Sequence, residues 1–312
     1  MSNNTFLPIS RADMEARGWD RPDFVYVSGD AYVDHPSFGV AIISRVLEAA
    51  GFRVAILAQP DWRTLDDFRR FGKPRLGFLV TAGNVDSMVA HYSVSRHRRG
   101  YDYYSPGGKM GLRPDRASIV YSNCIRQAYG DVPIILGGLE ASLRRFAHYD
   151  YWEDRMRRSL LIDSRADLLT YGMGENIILR IAKLLDKGVP VKKIRDVRGS
   201  CYVCSADAPE IHYEVAAEFD FEQLKNGGKP YADAFAAQYR EQDAISGRAM
   251  TERYGDKLLV QNPPMPPLER DELDRVYALP YMRDYHPSYQ ALGGVPGIQE
   301  VKFSIIHNRG CY

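Results

Sequence analysis

Residues 23–58 read DFVYVSGDAYVDHPSFGVAIISRVLEAAGFRVAILA, two apolar runs separated by a run with helical periodicity. The apolar runs, Phe24–Ser28 and Phe52–Ala58, predict buried strands. The helical run is marked by apolar residues three or four positions apart: Val40, Ile43, Leu47 and Ala50. Ser37 is expected to cap the start of this helix and Gly51 to end it. A strand, a helix and a second strand in this order are typical of a parallel α/β sheet.

The same alternation continues to about residue 187. Further strands are predicted at Leu76–Thr81, Val132–Leu136 and Ala166–Tyr171. A helix is predicted at Pro114–Tyr129, and another along an apolar stripe formed by Ile177, Ile178, Ile181, Leu184 and Leu185. Five strands with interleaved helices predict a flavodoxin-like, doubly wound parallel sheet for residues 1–190.

The pattern changes after this domain, and residues 191–297 are predicted to be a mixed α/β accessory and linker region. Its expected elements are a strand, an exposed helix and a short helix, at Ser200–Ala206, Tyr231–Ile245 and Glu269–Tyr277. The proline run at residues 262–267 is typical of a stiff linker. A strand predicted at Val301–Ile306 places the start of a further unit within residues 298–312.

Composition narrows the class of protein. The length of 312 residues favours two domains. Forty-one Lys and Arg residues against 40 Asp and Glu residues leave a formal charge of +1, so the chain as a whole carries no strong signal for nucleic acid or acidic lipid. The first ten residues lack a secretory pattern, and no segment approaches the roughly 18 apolar residues of a membrane helix. We therefore expect a cytoplasmic protein without a membrane segment.

The chain has four cysteines, too few and too scattered for a disulfide scaffold, and reduced thiols are expected. Cys201 and Cys204 have the spacing of half a zinc site or of a redox pair, but the default interpretation is two packed or partly exposed thiols. His212 alone does not complete a metal site. The phosphate-binding motif of P-loop proteins is absent from the sequence.

The segment Asn84–Arg113 interrupts the alternation of strands and helices. It follows the third predicted strand and is rich in Tyr, Arg, Ser and Gly. A long insertion at the carboxyl end of a strand lies at the sheet edge where doubly wound folds bind ligands. A ligand-binding loop and a disordered or partner-docking surface loop are both consistent with this composition.

Several residues that follow predicted strands are candidates for binding a substrate or cofactor. They are Asp30, His35, Gly137, Gly138, Arg144, Arg145, Gly174 and Glu175. Carboxylates and imidazoles can move protons, glycines allow a ligand to approach the backbone, and arginines pair with anions. Each type also has a structural interpretation, namely local hydrogen bonding, tight turns and a charge-balanced helix surface.

Longer motifs give the chain a resemblance to a known family. Among them are YYSPGG at 103–108, GGLEASLRR at 137–145, HYDYW at 148–152, LPYMR at 279–283 and HNRGC at 307–311. On these motifs the chain resembles the N-terminal region of YgiQ-type (UPF0313) radical SAM proteins, over nearly its whole length.

The resemblance implies that Cys311 is the first cysteine of a Cys-x-x-x-Cys-x-x-Cys motif, which binds a [4Fe–4S] cluster and with it S-adenosylmethionine. It also implies a missing C-terminal radical SAM (β/α) barrel beginning at the strand Val301–Ile306, and an electron donor such as flavodoxin or ferredoxin. Reductive cleavage of S-adenosylmethionine would give a 5′-deoxyadenosyl radical that acts on a substrate still to be identified. One cysteine cannot hold the cluster, so the 312-residue chain alone is expected to be inactive.

The first domain also resembles the cobalamin-binding-like domains that precede many radical SAM barrels. The lower-ligand motif Asp-x-His-x-x-Gly is absent, because Asp34 and His35 are adjacent and Gly39 lies four residues beyond the histidine. Cobalamin is therefore expected only in a mode without a histidine ligand. The alternatives to an enzyme domain are a stand-alone module that binds a small molecule or cobalamin, and a platform for docking or dimerisation.

Overall fold

The computed structural model of the protein describes residues 5–304. Its strands are β1 Phe24–Ser28, β2 Val33–Asp34, β3 Val54–Ala58, β4 Gly77–Thr81, β5 Ile134–Leu136, β6 His148–Asp150, β7 Arg155–Arg157, β8 Leu168–Thr170, β9 Ser200–Ser205, β10 Val215–Asp220, β11 Ala249–Tyr254, β12 Lys257–Gln261 and β13 Asp284–Tyr285.

The α-helices among the same residues are α1 Arg11–Ala16, α2 Gly39–Ala49, α3 Asp66–Arg69, α4 Ser87–His91, α5 Ala117–Tyr129, α6 Gly138–Leu143, α7 Leu160–Ser164, α8 Gly174–Asp186, α9 Phe221–Leu224, α10 Gly228–Arg240, α11 Arg270–Tyr277 and α12 Ile298–Val301. Short 3₁₀ helices occur at Pro106–Gly108, Val191–Lys193 and Pro287–Leu292.

Nine of these strands form one sheet, in the order β10-β11-β12-β9-β8-β5-β4-β1-β3. The neighbouring strands β3, β1, β4, β5 and β8 are parallel to one another. If only these five strands are numbered 1 to 5 along the chain, their order across the sheet is 2-1-3-4-5. The strand order therefore reverses between β1 and β4. A crevice opens at such a point, beyond the carboxyl ends of the strands, because the connections leave in opposite directions.

Both faces of the parallel strands are buried, which explains their nearly continuous apolar sequence. In β1, Val25 and Val27 contribute to one core, while Phe24 and Tyr26 contribute to the other. Helix α5 covers the first face, and helices α2 and α8 pack side by side over the second. The α/β class with a large, mostly parallel sheet is confirmed, and all five predicted strands of residues 1–190 are present.

Three helix predictions differ from the structure at their ends. No side chain caps α2, and the N–H of Ser37 instead donates to Nδ1 of His35 at 3.1 Å. Helix α5 begins three residues later than predicted, because Arg116 has a φ of 51° and cannot continue a right-handed helix. The helix predicted at residues 231–245 is α10, which ends earlier because the Asp243 carboxylate accepts two following backbone N–H groups in a turn.

The region after α8 extends the same sheet. Strand β9, predicted at Ser200–Ala206, pairs antiparallel with β8, and β12, β11 and β10 follow in space. The chain then returns to its beginning: β13 pairs with β2, and α11 and α12 pack beside α2. The predicted domain boundary near residue 190 lies within one continuous sheet and stays a prediction.

The strand predicted at Val301–Ile306 is wrong for the residues that the structure describes. Val301 closes α12, and the N–H of Ser304 donates to the carbonyl of Val301 at 2.9 Å in a turn. Ile298 and Val301 lie three residues apart and pack into one small core with Ala31 and Phe38, a spacing that suits a helix. The rest of the predicted strand, and Cys311 with it, lies outside the described residues.

Candidate functional site

A cavity of about 240 Å³ lies at the carboxyl edge of the sheet, where the strand order reverses. The ends of β1, β4, β5 and β8 form its floor, and the first turns of α2 and α8 form its walls. Both helices begin here without a side-chain cap, so their first backbone N–H groups remain available to a ligand. The cavity therefore occupies the place where doubly wound sheets bind ligands.

The interior of the cavity is apolar. Leu79 and Ile135 project from the sheet, Ile43 faces them from α2, and Ile178 faces them from α8. Cavities for complete small molecules typically measure about 300–1,000 Å³. A space of about 240 Å³ between apolar walls suits one flat ring system, with the rest of the ligand outside.

Polar groups surround the mouth of the cavity. They are the hydroxyls of Ser28, Thr81 and Thr170, the amide of Asn84, and the carboxyls of Asp30 and Glu175. Among the described residues that line the cavity, none is a lysine, arginine or histidine. The site therefore offers hydrogen bonds, while the charge of Asp30 is offset by its ion pair with Arg113, and it suits an uncharged ring with polar edges.

Two glycines are required by the close packing at this edge. Gly83 has a φ of +114°, and a Cβ there would lie 2.0 Å from Oδ1 of Asp30. Gly138 has a φ of +83°, and a Cβ there would lie 2.3 Å from Oγ1 of Thr81. Any larger residue at either position would strain the backbone and displace a polar group of the site.

Asp30 is the end of a buried charge network. Its Oδ1 accepts a hydrogen bond from Arg113 at 2.8 Å, and its Oδ2 accepts the N–H of Asn84 at 2.6 Å. Arg113 also pairs with Asp102 at 2.8 Å, and all three charged side chains are at most 2% exposed. The pKa of Asp30 is raised from 3.8 to about 6, chiefly by burial and also by the charge of Asp102, against the opposing effects of Arg113 and Asn84.

His35 does not reach the cavity. Its ring is fully buried, its Nδ1 accepts the N–H of Ser37, and its Nε2 has no hydrogen-bond partner among the described residues. Burial lowers the pKa of His35, and the positive charge of Arg283 lowers it further. A neutral histidine in this place orders the turn before α2.

The motif at residues 137–145 divides into two parts. Gly137 and Gly138 line the cavity. Glu140, in contrast, accepts the backbone N–H groups of Ser87 and Ser118 at 2.9 and 3.1 Å, and thereby fixes both ends of the long insertion. The second part of the motif has a structural role in holding the loop.

The two arginines of this motif also lie away from the cavity. Arg144 donates to Asp86 at 2.7 Å, and Arg145 donates to the side-chain oxygen of Gln261 at 2.5 Å. The Arg145 guanidinium also lies 5.0 Å from the centre of the Tyr171 ring. The predicted candidates brought together in one cavity are therefore Asp30, Gly137, Gly138, Gly174 and Glu175.

The described cysteines are not arranged as a metal or redox site. Cys201 and Cys204 lie three residues apart on β9, so their side chains enter cores on opposite faces of the sheet. Burial raises the pKa of Cys201 to about 12, which keeps it a thiol. Within residues 5–304, no three His, Cys, Asp or Glu side chains are placed to share a metal ion.

Sequence reasoning did not single out Thr81 and Thr170, and it named Asn84 and Arg113 only as the ends of the candidate ligand-binding loop. The first three end or follow a parallel strand, and a polar residue at that position is a signal that could have found them. Arg113 gave no such signal, because its partner Asp30 lies 83 positions away in the sequence.

Residues 6–304 match the model of the radical SAM N-terminal family. The chain belongs to this family. It is 55% identical over 313 residues to a UPF0313 protein of Clostridium botulinum (strain 657 / Type Ba4), covering 100% of this chain and 48% of that protein. A UPF0313 protein of Clostridium perfringens (strain 13 / Type A) is 54% identical over 311 residues, covering 100% of the chain and 47% of that protein.

The resemblance to the N-terminal region of UPF0313 radical SAM proteins is thereby confirmed, and the chain spans about half the length of the curated relatives it matches. Among solved structures, the radical S-adenosylmethionine methyltransferase TsrM from Kitasatospora setae, with tryptophan and a SAM analogue bound, gives a TM-score of 0.38 at 19% identity. That match covers 57% of this chain and 28% of TsrM. The form of TsrM with cobalamin and a [4Fe-4S] cluster gives 0.37 at 20% identity, covering 57% and 26%. No helix among residues 5–304 is long and apolar enough to cross a membrane.

Proposed function

We propose that this chain is the N-terminal part of a radical SAM enzyme, and that its carboxyl-edge cavity holds part of the substrate or of a second cofactor close to the radical chemistry. Cys311 would be the first of three thiolate ligands to a [4Fe–4S] cluster, with the other two in the C-terminal barrel. The cluster and an electron from a flavodoxin-like or ferredoxin-like donor would supply a 5′-deoxyadenosyl radical from S-adenosylmethionine. The proposal assigns residues 1–190 to a flavodoxin-like unit, and the 2-1-3-4-5 strand order supports it.

The observation that carries this proposal is that the cavity and the end of the described chain lie at the same edge of the sheet. The N–H of Gly297 donates to the carbonyl of Tyr103 at 2.8 Å, and the N–H of Ala31, next to Asp30, donates to the carbonyl of Tyr104 at 2.9 Å. Ser304 is seven residues before Cys311 in the sequence, and seven residues of extended chain span at most about 25 Å. A ligand in the cavity would then lie at the edge of the sheet from which, in this proposal, the chain continues to the cluster motif.

The residues of the site would then bind and orient the ligand. The isoleucines of α2 and α8 and the sheet residues Leu79 and Ile135 would enclose an apolar ring. The hydroxyls of Thr81 and Thr170 would fix its orientation. Asp30 would hold or release a proton close to neutral pH, because its pKa is about 6.

The test uses the full-length protein, prepared without oxygen and supplied with iron and sulfide. We expect four irons per chain and reductive cleavage of S-adenosylmethionine to 5′-deoxyadenosine. Cys311→Ser should lose both the cluster absorbance and the cleavage, while the matched variant Cys204→Ser, at a buried thiol inside the sheet, should keep both. A Cys311→Ser protein with a complete cluster and normal cleavage would contradict the assignment.

The second candidate is a module that binds a small molecule or cobalamin without radical chemistry. The cavity with its apolar interior favours it, because residues of this chain alone form the cavity. The space fits the heterocyclic base of cobalamin rather than its corrin ring. No histidine among the lining residues could coordinate the cobalt, so the base would bind between Leu79, Ile135 and Ile43 without a histidine ligand.

Titration of the 312-residue chain with cobalamin distinguishes the two candidates, since binding changes the visible spectrum of the corrin. Binding that disappears in Ile43→Trp, which fills the cavity, and persists in Ile245→Trp, at a position that is 91% exposed, would support the module. An unchanged spectrum at every concentration would remove cobalamin from consideration and leave the enzyme proposal intact.

A further inference from the structure

Part of the long insertion is a local concentration of positive charge. Residues 91–110 contain four Lys and Arg residues against one acidic residue, a net of +3 in a chain whose total is +1. The acidic residue, Asp102, is buried and paired with Arg113. The cationic residues Arg96, Arg98, Arg99 and Lys109 are all exposed, and none forms an ion pair with a described residue. The surface therefore has charge available for an anionic partner.

Exposed tyrosines lie in the same insertion and on the neighbouring β6–β7 hairpin. Tyr101 and Tyr103 are 45% and 57% exposed, and their ring centres lie 5.0 Å apart. The β6–β7 hairpin adds Tyr151, which is 40% exposed, donates from its hydroxyl to the carbonyl of Val94 at 2.7 Å, and lies 4.7 Å below the guanidinium of Arg96. Rings and guanidinium planes held in this way are stacking surfaces for nucleobases.

The insertion that carries these residues is anchored at the mouth of the cavity. The insertion begins at Asn84, which lines the cavity, and the carbonyl of Tyr104 accepts the N–H of Ala31 beside Asp30. The cavity itself contains carboxyls and no lysine, arginine or histidine among its described lining residues, which suits an uncharged ring. Phosphates on the cationic surface and a base at the cavity would together satisfy both regions.

We propose that the surface formed by Arg96, Arg98, Arg99, Lys109 and the neighbouring tyrosines binds single-stranded nucleic acid, and that the substrate class of the enzyme is a nucleic acid. The assignment of the nucleic acid as a substrate rests on the proposed function. Binding of the strand to this surface does not require the cluster. Exposed tyrosines together with arginines that form no ion pair with a described residue, in an insertion anchored at a cavity for one ring, favour a nucleic acid over an acidic redox protein, which would have no use for the cavity.

The test measures binding of labelled single-stranded RNA, single-stranded DNA and duplex RNA to the 312-residue chain by fluorescence anisotropy over a series of salt concentrations. With three to four phosphate contacts, log K should fall with log salt with a slope of about −2 to −3 for the single strands. Arg96→Gln/Arg98→Gln/Arg99→Gln should reduce the magnitude of that slope by about 2. Tyr101→Ala should weaken binding roughly 5- to 100-fold.

The matched control removes three exposed cations from other parts of the surface, in Lys73→Gln/Lys187→Gln/Lys257→Gln. It should bind as the parent chain does, and circular dichroism should show that both triple variants are folded. A preference for RNA or for DNA would identify the source of the strand. The proposal is overturned by absence of binding at low salt, by equal loss in both triple variants, or by binding that is confined to the duplex.

Two further results would also overturn it. The triple variant Arg96→Gln/Arg98→Gln/Arg99→Gln could bind oligonucleotides as well as the lysine control variant does, yet lose binding to a flavodoxin or ferredoxin. The surface would then be a docking site for the electron donor. Alternatively, the full-length protein could fail to bind strands that the 312-residue chain binds, which would mean that the C-terminal half covers the surface. Both results leave the cluster at Cys311 untouched, so they are distinguishable from failure of the proposed function.

Discussion

Replacing Asp30 by asparagine should change how the stability of the protein depends on pH. Burial gives this carboxyl a pKa of about 6 in the folded chain against an ordinary value of 3.8. The folded state therefore holds the proton more tightly than the unfolded state, and stability must fall as the pH rises from 3.8 to 6. Each pH unit of this difference corresponds to about 1.4 kcal/mol, so ionised Asp30 lowers the free energy of unfolding by about 3 kcal/mol above pH 7.

The side-chain amide introduced by Asp30→Asn does not ionise, so the variant loses this pH dependence. The substitution also places an amide N–H₂ group against Arg113 or the N–H of Asn84, which adds a constant penalty of about 1–3 kcal/mol. The informative quantity is therefore the change with pH, not the stability at any one pH. Between pH 4.5 and 7.5, the stability of Asp30→Asn relative to the parent should improve by about 2 kcal/mol.

Urea unfolding of both proteins at several pH values, followed by circular dichroism, measures this difference. Asp207→Asn, at an exposed position, is the control and should keep the pH dependence of the parent. The reasoning is refuted if the free energies of unfolding of Asp30→Asn and the parent differ by an amount that stays constant within about 0.5 kcal/mol across this pH range. Asp30 would then have the same pKa in the folded and unfolded states.

Three further changes probe the site. Arg113→Met should lower the free energy of unfolding by about 3–5 kcal/mol in urea titrations, because it leaves Asp30 and Asp102 buried without a counterion. Gly138→Val should lower the free energy of unfolding by about 1–3 kcal/mol and abolish any ligand binding measured by calorimetry. Gly39→Ala, which adds its methyl group to open space at the same cavity, should change neither quantity. Alkylation followed by mass spectrometry should leave the thiol of Cys201 unmodified until the chain is unfolded, since it is fully buried; modification of the native chain would contradict its placement.

The parallel strands could be predicted because their sequence signal is local. Strand β1 and helix α2 each carry their burial pattern within a dozen residues, and the apolar residues of α8 repeat along one face. A short apolar run is ambiguous, however, and the segment from Val301 shows this limit. Its first residues form the end of a helix and a turn, because Ile298 and Val301 pack on a core contributed by the first strand–helix connection, which no local pattern reveals.

The candidate site was predictable to the extent that strand ends define it. Asp30 and Gly138 follow parallel strands, and topology alone brings them to one edge. Arg144 and Arg145 show the opposite case. Their charge suggested an anion site, but Asp86 and Gln261, which lie 58 and 116 positions away in the sequence, engage them. Contacts between side chains so far apart in the sequence form only when the sheet is assembled. Reasoning from residue type alone therefore predicts binding of an external ligand where the folded protein supplies an internal partner.

The division of charge at the carboxyl edge argues for a ligand with two chemically different parts. The described lining of the cavity contains no lysine, arginine or histidine, and the charge of Asp30 is offset by Arg113, so the apolar interior suits an uncharged ring. The adjacent loop contributes four exposed cations without carboxylate partners, so a neutral small molecule confined to the cavity would leave them unused. An uncharged ring attached to an anionic backbone satisfies both regions at once. Asn84 lines the cavity and the carbonyl of Tyr104 accepts the N–H of Ala31, so backbone contacts hold the insertion against the cavity, as a ligand that spans both regions requires.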